Sequence, residues 1–467
     1  MTARSPLASL IVISLALSGC SVLGPDYQRP ATDLPNSYTE TAPADAQGPV
    51  QPAWWTLFAD PVLNDLMTRA LAGNLDVQAA LARVEEAEAA LRETGAALVP
   101  SVDLDGGASR IRSSTKTGMP MPQYRSSHSL GLSTAFELDV WGRLRRAKES
   151  ATAQAQASHY ARDAVRLSLA GMVAHTYLAL RALDAELAVS RDTLASRDAS
   201  LAIVTTRVQA GLSGSLDQRQ AEGAVAASQA QITSLRLQRA QTEHQLGLLV
   251  GRPDLKLAAE GLERLPLPPV PPAGLPSSLL DARPDLRQAE ALLAASNARI
   301  GVAKAALYPT LSLTGALGAE SQDLSNLFSG GARTWNLGAG LLLPLFDAGA
   351  NEARVDQATA RQKQALAQYQ KTVQTAFKEV NDALVALREH AEGEAAQQAR
   401  VNAETQALEL ARVRYEAGYS GYLEVLDTQR SLYLARLAHV ATRQARLAAA
   451  VDLLKALGGG WQRTPVQ

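Results

Sequence analysis

The sequence contains a single cysteine, Cys20, among 467 residues. One cysteine excludes an intramolecular disulfide, and no second thiol remains for a metal or redox centre. Aromatic residues make up only 4% of the chain while 46% is hydrophobic, so alanine and leucine supply the apolar share and favour helices. The net charge of -1 gives no electrostatic reason to expect a nucleic-acid partner.

Motifs for catalysis are also lacking. The six histidines form no metal-binding spacing with one another, and the chain has neither a Gly-x-Ser-x-Gly elbow nor a phosphate loop. We therefore expect no enzymatic activity, no cofactor and no metal site.

The N-terminus has the pattern of an export signal over residues 1–19. A positive start is followed by a short apolar core and a small-residue exit, which is typical of a secretory signal rather than a membrane span. The end, Leu-Ser-Gly-Cys, resembles a bacterial lipobox. This resemblance implies lipid on Cys20 and, because Ser21 is not acidic, export to the outer membrane. An uncleaved anchor helix with a chance cysteine is the alternative.

Proline spacing outlines the organisation of the remaining chain. Residues 20–60 are dense in Pro, Ser, Thr and Asp, which indicates an extended tether. No proline occurs between Pro122 and Pro253 or between Pro344 and Pro465, and these stretches predict long helices. One helix over 143–209 would be roughly 100 Å long. It must lie against parallel neighbours, as in a coiled coil or a helical cylinder.

The chain also repeats itself, with equivalent positions roughly 207–209 residues apart. Each half predicts the order helix, strand pair, long helix, turn, long helix. The expected division is a first repeat over 61–260, a Pro-rich linker over 261–282, a second repeat over 283–460 and a tail over 461–467.

Alternation of apolar and polar residues predicts strands at about 100–113, 126–140, 308–320 and 333–346. Four strands are too few to close a barrel. No apolar run after the signal is long enough for a membrane helix, so a membrane-spanning form needs a closed sheet shared between chains. Three copies would supply twelve strands. A soluble antiparallel sheet with one buried face is the alternative.

The frame Ala-Gly-x-Ser-Gly-x-Leu-acid occurs twice, at about 210–217 and 416–424, and each copy interrupts a long helical stretch. Glycine takes positive φ without strain, so Gly211 and Gly418 predict reversals between paired helices. Ser213 and Ser420 are candidates to cap the returning helices.

The lipobox, the duplicated plan and the segments "AALYPTLSLTG", "FELDVWGRLRRA", "LLLPLFDAGANEARV" and "YEAGYSGYLEVLDTQRSLYLARL" together resemble the TolC family of outer-membrane channels. Within it they resemble the lipoprotein branch that serves resistance–nodulation–division efflux pumps. The resemblance covers essentially the whole mature chain. It implies a mainly α homotrimer in Gram-negative outer-membrane lipid, with long antiparallel helices forming a periplasmic α-barrel and four strands per chain entering a shared 12-stranded β-barrel.

The function implied by this resemblance is passive conduction of drugs or other small toxic compounds from periplasm to exterior. Its implied partners are a periplasmic adaptor (membrane fusion) protein and an inner-membrane resistance–nodulation–division transporter. A duct for type I protein secretion is the alternative, against which the lipobox argues. A helical adhesive lipoprotein without a pore would not need the strands.

The resemblance also assigns roles at the two turns. The tips that would dock the adaptor comprise Gly211, Ser213, Gly214, Gly418, Ser420 and Gly421. Leu423 and Asp427 lie four residues apart on one helical face and match the positions that close the aperture, with Tyr415 as a supporting residue. Either Arg430 or Arg414 could tie neighbouring helices shut. Alternatively, Leu423 packs against Leu216 and Asp427 faces solvent.

Three further features each allow two interpretations. Trp54 and Trp55 predict a hydrophobic plug that docks the tether onto the helical body, or an interface anchor. Trp141 and Tyr308 predict either membrane-interface aromatics or a packed bend. A basic cluster at the start of the long helix predicts a cation ring or a solvated face, and it comprises Arg143, Arg145, Arg146 and Lys148.

Overall fold

The computed structural model describes residues 22–31, 35–40, 50–114, 116, 123–269, 271–274 and 276–462. The predicted signal and Cys20 lie outside these residues. The chain divides into two compact units. Unit 1 contains residues 1–31, 83–159 and 288–370, and unit 2 contains 32–82, 160–287 and 371–467. Each unit draws segments from both of the repeats expected from the sequence.

Most of the described chain is helical. Helices α3 and α7 contain 67 residues each, and the helix expected over 143–209 is confirmed. Within the described residues, no helix combines the length and apolar character needed to cross a membrane. The α-helices are α1 Pro61–Gly73, α2 Leu75–Ala96, α3 Arg143–Gln209, α4 Ser215–Val250, α5 Leu279–Ala282, α6 Pro284–Ala305, α7 Ala350–Glu416 and α8 Tyr422–Ala456.

Unit 1 contains a four-stranded antiparallel sheet with the strand order β1-β2-β3-β4. Its register places Leu132 of β2 opposite Leu104 of β1 and Leu317 of β3, and Leu313 of β3 opposite Ala339 of β4. The strands are β1 Ser101–Arg112, β2 Tyr124–Leu138, β3 Thr310–Ser321 and β4 Arg333–Leu342.

Two strands end earlier than the sequence pattern predicts. Strand β2 stops at Leu138 rather than at about 140, because Asp139 turns to cap α3 and accepts hydrogen bonds from the backbone N–H of Leu144 (2.9 Å) and Arg145 (3.0 Å). Burial raises the pKa of the Asp139 carboxyl, but these hydrogen bonds outweigh it and hold the pKa below its ordinary value. Strand β4 stops at Leu342, two residues before Pro344, which has no N–H for a ladder.

Side chains alternate across the sheet and give it two different faces. The apolar face contains exposed leucines and a tryptophan, and the polar face contains carboxylates and hydroxyls. On the polar face Ser127 donates to Glu320 at 2.7 Å and Ser133 donates to Asp105. The large exposed residues of the apolar face are Val102, Leu104, Leu130, Leu132, Leu313, Leu317, Trp335, Leu337 and Leu341.

The three arginines of the basic cluster at the start of α3 are ion-paired within unit 1, and Lys148 is exposed. Arg146 is buried, and its guanidinium donates to the Leu23 carbonyl at 3.1 Å. The cluster is therefore neither a set of free cations nor a plain solvated face. The ion pairs are Arg143–Glu137 at 2.6 Å, Arg145–Asp139 at 3.0 Å, Arg146–Asp26 at 2.7 Å and Arg146–Glu149 at 2.8 Å.

Trp141 and Tyr308 form a packed bend where strands meet helices. Their ring centroids lie 4.9 Å apart, and the Trp141 indole N–H donates to the carbonyl of Pro309 at 2.8 Å. A packed bend still leaves two aromatic side chains at the helix end of the sheet.

Unit 2 has its own apolar core, built where α1, α3, α4 and α8 meet. Trp54 is 1% exposed and packs in this core with Phe58, Leu66, Tyr177 and Val451. The prediction of a hydrophobic plug for the Trp54–Trp55 pair is therefore confirmed. The Asp60 carboxylate caps α1 by accepting from the Val62 N–H at 2.7 Å.

Candidate functional site: the two hairpin tips

The first tip joins α3 to α4 and is closed by a left-handed glycine. Gly211 has φ +73°. Its N–H donates to the Val208 carbonyl at 3.0 Å, and the Leu212 N–H donates to the Arg207 carbonyl at 2.8 Å. This pair of bonds is a Schellman motif, which ends a helix and reverses the chain.

The second tip, between α7 and α8, has the same backbone pattern. Gly418 has φ +80°. Its N–H donates to the Tyr415 carbonyl at 3.0 Å, and the Tyr419 N–H donates to the Arg414 carbonyl at 2.8 Å. The positive φ expected at both glycines is confirmed. Among the described residues, a Cβ added at Gly211 or Gly418 would have no neighbouring atom within 4 Å, so both turns have open space around them.

The predicted serine caps are wrong. Helices α4 and α8 begin after Gly214 and Gly421, which are the N-cap residues and have no side chain to offer. The Ser213 hydroxyl donates instead to the Asp217 carboxylate at 3.1 Å, because the glycine that follows it moves the helix start one residue onward. The Ser420 hydroxyl has no hydrogen-bond partner among the described residues.

Apolar side chains join the two hairpins just above the tips. Tyr415 is 5% exposed, and its ring centroid lies 5.7 Å from that of Tyr422. Burial raises the pKa of the Tyr422 hydroxyl. The buried members of this tip cluster are Val204, Ala221, Leu408, Ala411, Tyr415, Tyr422, Val425 and Leu432. Tyr415 therefore lies at the joint between the two hairpins.

Arg207, near the end of α3, holds the end of α7. Its guanidinium donates to the carbonyls of Tyr415 at 3.1 Å and Glu416 at 3.3 Å. It also lies over the Tyr415 ring, 4.8 Å from the centroid. Cations are favoured at helix C-termini because the last carbonyls have no partner within the helix. Arg207 therefore joins the two tips by charge as well as by packing.

Leu423 and Asp427 lie together on the exposed side of α8. Leu423 is 64% exposed and Leu216 is 67% exposed, so among the described residues Leu423 is not covered by Leu216. The Asp427 carboxylate pairs with Arg430 on its own helix at 2.7 Å. Arg414 pairs across the second turn with Glu424 at 3.3 Å. Both candidate arginines therefore have partners near their own tip.

Further polar contacts join α3 to α4 and α8 above the tips. The Gln429 amide donates to the Ser200 hydroxyl at 2.9 Å. The Arg197 guanidinium donates to the Ser228 hydroxyl at 2.8 Å and to the Ala224 carbonyl at 3.0 Å. Burial lowers the pKa of Arg197. Such hydrogen bonds hold the helices in one lateral register.

The sequence pattern did not predict the contacts that Arg207, Arg197 and Gln429 make between helices. A usable signal existed for Arg207, since an arginine stands four residues before the turn glycine in both repeats, as Arg207 and Arg414. Among the described residues, no three His, Cys, Asp or Glu side chains come together as a metal site.

Comparison with known proteins decides the family. The sequence model of the family described as outer membrane efflux protein matches residues 66–252 and 275–459. The chain belongs to this family. It is 37% identical to the outer membrane protein OprJ of Pseudomonas aeruginosa, covering 97% of this chain and 95% of OprJ. It is 36% identical to the cation efflux system protein CusC of Escherichia coli O6:H1, covering 97% of this chain and 98% of CusC.

The fold is shared with solved channels of the same kind. The structure of the open state of the MtrE outer membrane channel of Neisseria gonorrhoeae superposes with a TM-score of 0.86 at 31% identity. The match covers 94% of this chain and 98% of MtrE. The mostly helical chain with its small antiparallel sheet is therefore a TolC-like channel protein, as the sequence resemblance implied.

Family membership also fixes the class of function. The protein is an outer-membrane component of an efflux pump of Gram-negative bacteria, and it is a passive channel rather than an enzyme. Its relatives are efflux components, which favours efflux over the alternative of a type I secretion duct. The alternative of an adhesive rod without a pore is excluded by the family.

Proposed function

We propose that three copies of this chain close into one channel. Strands β1 and β4 are the edges of the sheet, and each edge carries unpaired backbone N–H and C=O groups. Such edges are not tolerated in lipid. Pairing β4 of one chain with β1 of the next satisfies both edges and gives a 12-stranded β-barrel, above an α-barrel of long helices.

The exposed apolar face of the sheet is the observation that carries this proposal. Leu317, Leu337 and Trp335 are 65%, 81% and 76% exposed, although a leucine-rich sheet face in water is normally covered. The strands have 12, 15, 12 and 10 residues, while roughly 9–11 tilted residues span a bilayer. Both facts support an apolar face toward lipid and a polar face toward the pore.

A duplicated architecture supports the same closure. Helices α2 and α6 have 22 residues each, and α4 and α8 have 36 and 35. The family model also matches the chain twice. Two similar halves in each of three chains would give six similar helical hairpins around one axis.

The assembly is tested by native mass spectrometry of the full-length protein in detergent, followed by reconstitution into planar bilayers. We expect a trimer mass and discrete conductance steps. A monomer that conducts would overturn the proposal.

We further propose that Cys20 carries lipid in the same bilayer as the sheet. The chain just after it is fixed in unit 1, where the Leu23 N–H donates to the Trp141 carbonyl at 3.1 Å. The Asn297 amide donates to the Pro25 carbonyl at 2.8 Å. Three peptide units separate Cys20 from Leu23, which spans at most about 11 Å. Lipid on Cys20 would therefore enter beside the bend formed by Trp141 and Tyr308.

The anchor is tested by mass spectrometry of the mature N-terminal peptide. We expect an acylated Cys20, and an unmodified cysteine in mature protein would remove the anchor from the proposal. Each buried methylene contributes roughly 0.8 kcal/mol, so several acyl chains hold firmly. The sheet is a second anchor, and a Cys20→Ala protein exported with a generic signal should retain partial function.

We also propose that the two tips form both the gate and the docking surface. Three copies of Leu423 would give an apolar constriction, and three Asp427 carboxylates would favour cations at the mouth. The projecting turns around Gly211 and Gly418 would meet the helical hairpins of a periplasmic adaptor. That adaptor would connect the channel to an inner-membrane resistance–nodulation–division transporter.

The cargo follows from this class of pump. We propose that the channel conducts drugs or other small toxic compounds. Deleting the gene and measuring the minimum inhibitory concentrations of antibiotics, dyes, solvents and metal salts tests this. Compounds to which the deletion strain becomes sensitive, and to which the intact protein restores resistance, identify the class of exported compound. Unchanged resistance to every compound would contradict an efflux role.

A further inference from the structure

Arginines stand at one end of the apolar sheet face. Arg110 and Arg112 lie in the last three residues of β1. They are an even number of residues from Val102 and Leu104 and therefore lie on the same face of the sheet. Arg333 begins β4 and shares the face of Trp335 and Leu337. Arg110 and Arg112 end β1 next to the hairpin loop, whereas the register places Arg333 level with Leu130 and Gly106, four positions short of Arg110. Arg110 lies six positions beyond Leu104, which is roughly 20 Å along an extended strand.

These cations have no carboxylate partner in the part of the chain that the structure describes. The carboxylates of the sheet, Asp103, Asp105, Glu137 and Glu320, follow the opposite alternation and lie on the polar face. Arg110 and Arg112 contact an aromatic ring instead, with guanidinium carbons 5.9 and 5.6 Å from the Tyr124 centroid. The hairpin loop over 113–123 contains Lys116 and no acidic residue.

Guanidinium groups without a carboxylate partner, beyond the end of a band of leucines, match the boundary of a bilayer. Acyl chains would cover the leucines, and the guanidinium groups would then lie at the level of the headgroups. Guanidinium binds phosphate through two parallel hydrogen bonds, and its aliphatic stem can lie along apolar surface. Stacking on Tyr124 holds the two β1 guanidinium groups in place and lowers the entropy lost on binding.

We propose that Arg110 and Arg112 bind the phosphate of an anionic lipid headgroup. This rests on the proposed function, because it requires the sheet to stand in a membrane with its apolar face toward lipid. The ligand is a lipid and not a free anion, since the cations border an apolar band and not a closed pocket.

The test is native mass spectrometry of the full-length protein in detergent, titrated with phosphatidylglycerol or with phosphatidylcholine. We expect the wild type to bind phosphatidylglycerol about tenfold more tightly, and Arg110→Gln/Arg112→Gln to lose most of that preference. Arg125→Gln is the matched control. Arg125 pairs with Ile111, between the two arginines, but follows the alternation of the polar face. It should change the preference less than about twofold.

Three results would overturn the inference: equal binding of the two lipids, an equal loss in Arg125→Gln, or displacement of phosphatidylglycerol by millimolar inorganic phosphate. The last result would indicate a free-anion site. The trimer mass and conductance are recorded on the same samples. Absence of a trimer would refute the proposed assembly, whereas a conducting trimer without lipid preference would refute only this inference.

Discussion

Removing the guanidinium of Arg207 should open the channel at its periplasmic end. Arg207→Gln deletes the cation that donates to the last carbonyls of α7 and lies over the Tyr415 ring. The change leaves Gly211 and its backbone bonds in place, so the turn itself should persist. The second hairpin would then lose the polar contact with the first that lies nearest the turns, and the side that carries Leu423 and Asp427 would be freer to move outward.

The size of the effect follows from the contacts. A hydrogen bond to a charged group contributes about 1.5–3 kcal/mol and an exposed cation–π contact about 0.5–1 kcal/mol. The two hydrogen bonds, at 3.1 and 3.3 Å, are long, and the buried Arg207 Nε has no partner among the described residues. We therefore expect about 2 kcal/mol per chain, which changes the ratio of joined to separated tips by a factor of roughly 30.

The assay is single-channel recording in planar bilayers, together with the sensitivity of cells to bulky antibiotics. Arg207→Gln should raise the open probability at least about tenfold, and Arg207→Lys should lie between it and the wild type. Arg219→Gln is the control, because Arg219 is exposed on α4 and its ion pair among the described residues is with Glu222, three residues away, at 2.7 Å. A closed Arg207→Gln channel with unchanged trimer mass and melting temperature would refute the role of this contact.

Three further changes test the tips and the helical body. Leu423→Ala/Asp427→Ala should conduct markedly better than wild type, and unchanged conductance would remove both residues from the gate. Gly421→Leu should reduce efflux at least about fivefold while the trimer persists. Gly421 has φ -79° and, among the described residues, no atom within 4 Å of an added Cβ, so this change avoids the strain that Gly418→Val adds at φ +80°. Because leucine is a poorer N-cap than glycine, the loss indicates a docking partner only where the melting temperature is unchanged. Burial raises the pKa of Glu394, but hydrogen bonds from Arg446 and Arg443 outweigh it and hold the pKa below its ordinary 4.5. The ionised Glu394 carboxylate therefore stabilises the fold above about pH 4.5, and this contribution is lost as the pH falls through the lowered pKa. Glu394→Gln has no carboxyl to protonate, so its melting temperature should fall less than that of wild type between about pH 6 and pH 4.

Local rules predicted the positions of the main elements. Proline-free stretches predicted the long helices, and glycine frames predicted the positive φ at Gly211 and Gly418, because a backbone conformation depends on few neighbouring residues. The strand ends were less predictable. By its apolar and polar alternation, Asp139 would continue β2, yet its carboxylate caps α3. Whether it ends the strand or continues it depends on the path of the chain after Trp141.

Contacts between distant segments could not be read from the sequence. The bond from Arg207 to the Tyr415 carbonyl joins residues 208 positions apart and depends on the lateral register of two helices. The serine caps failed for a local reason, because the helices begin one residue later, after Gly214 and Gly421, and the Ser213 hydroxyl donates to the Asp217 carboxylate instead. The gate residues Leu423 and Asp427 gain their proposed role only from other copies of the chain, and no single-chain pattern contains that information.

The two tips have the same backbone conformation but differ in the side-chain contacts that they can make with a neighbouring tip. In the proposed ring, each second tip meets a first tip twice, once in its own chain and once in the next. Within the chain, Arg207 meets Tyr415. The equivalent residues in the other repeat are Arg414 and Val208, and valine has no ring to receive a cation. The joint between chains would therefore be weaker than the joint within a chain. Opening would begin between chains, and loss of the Arg207 contact would free the second hairpin within its own chain as well.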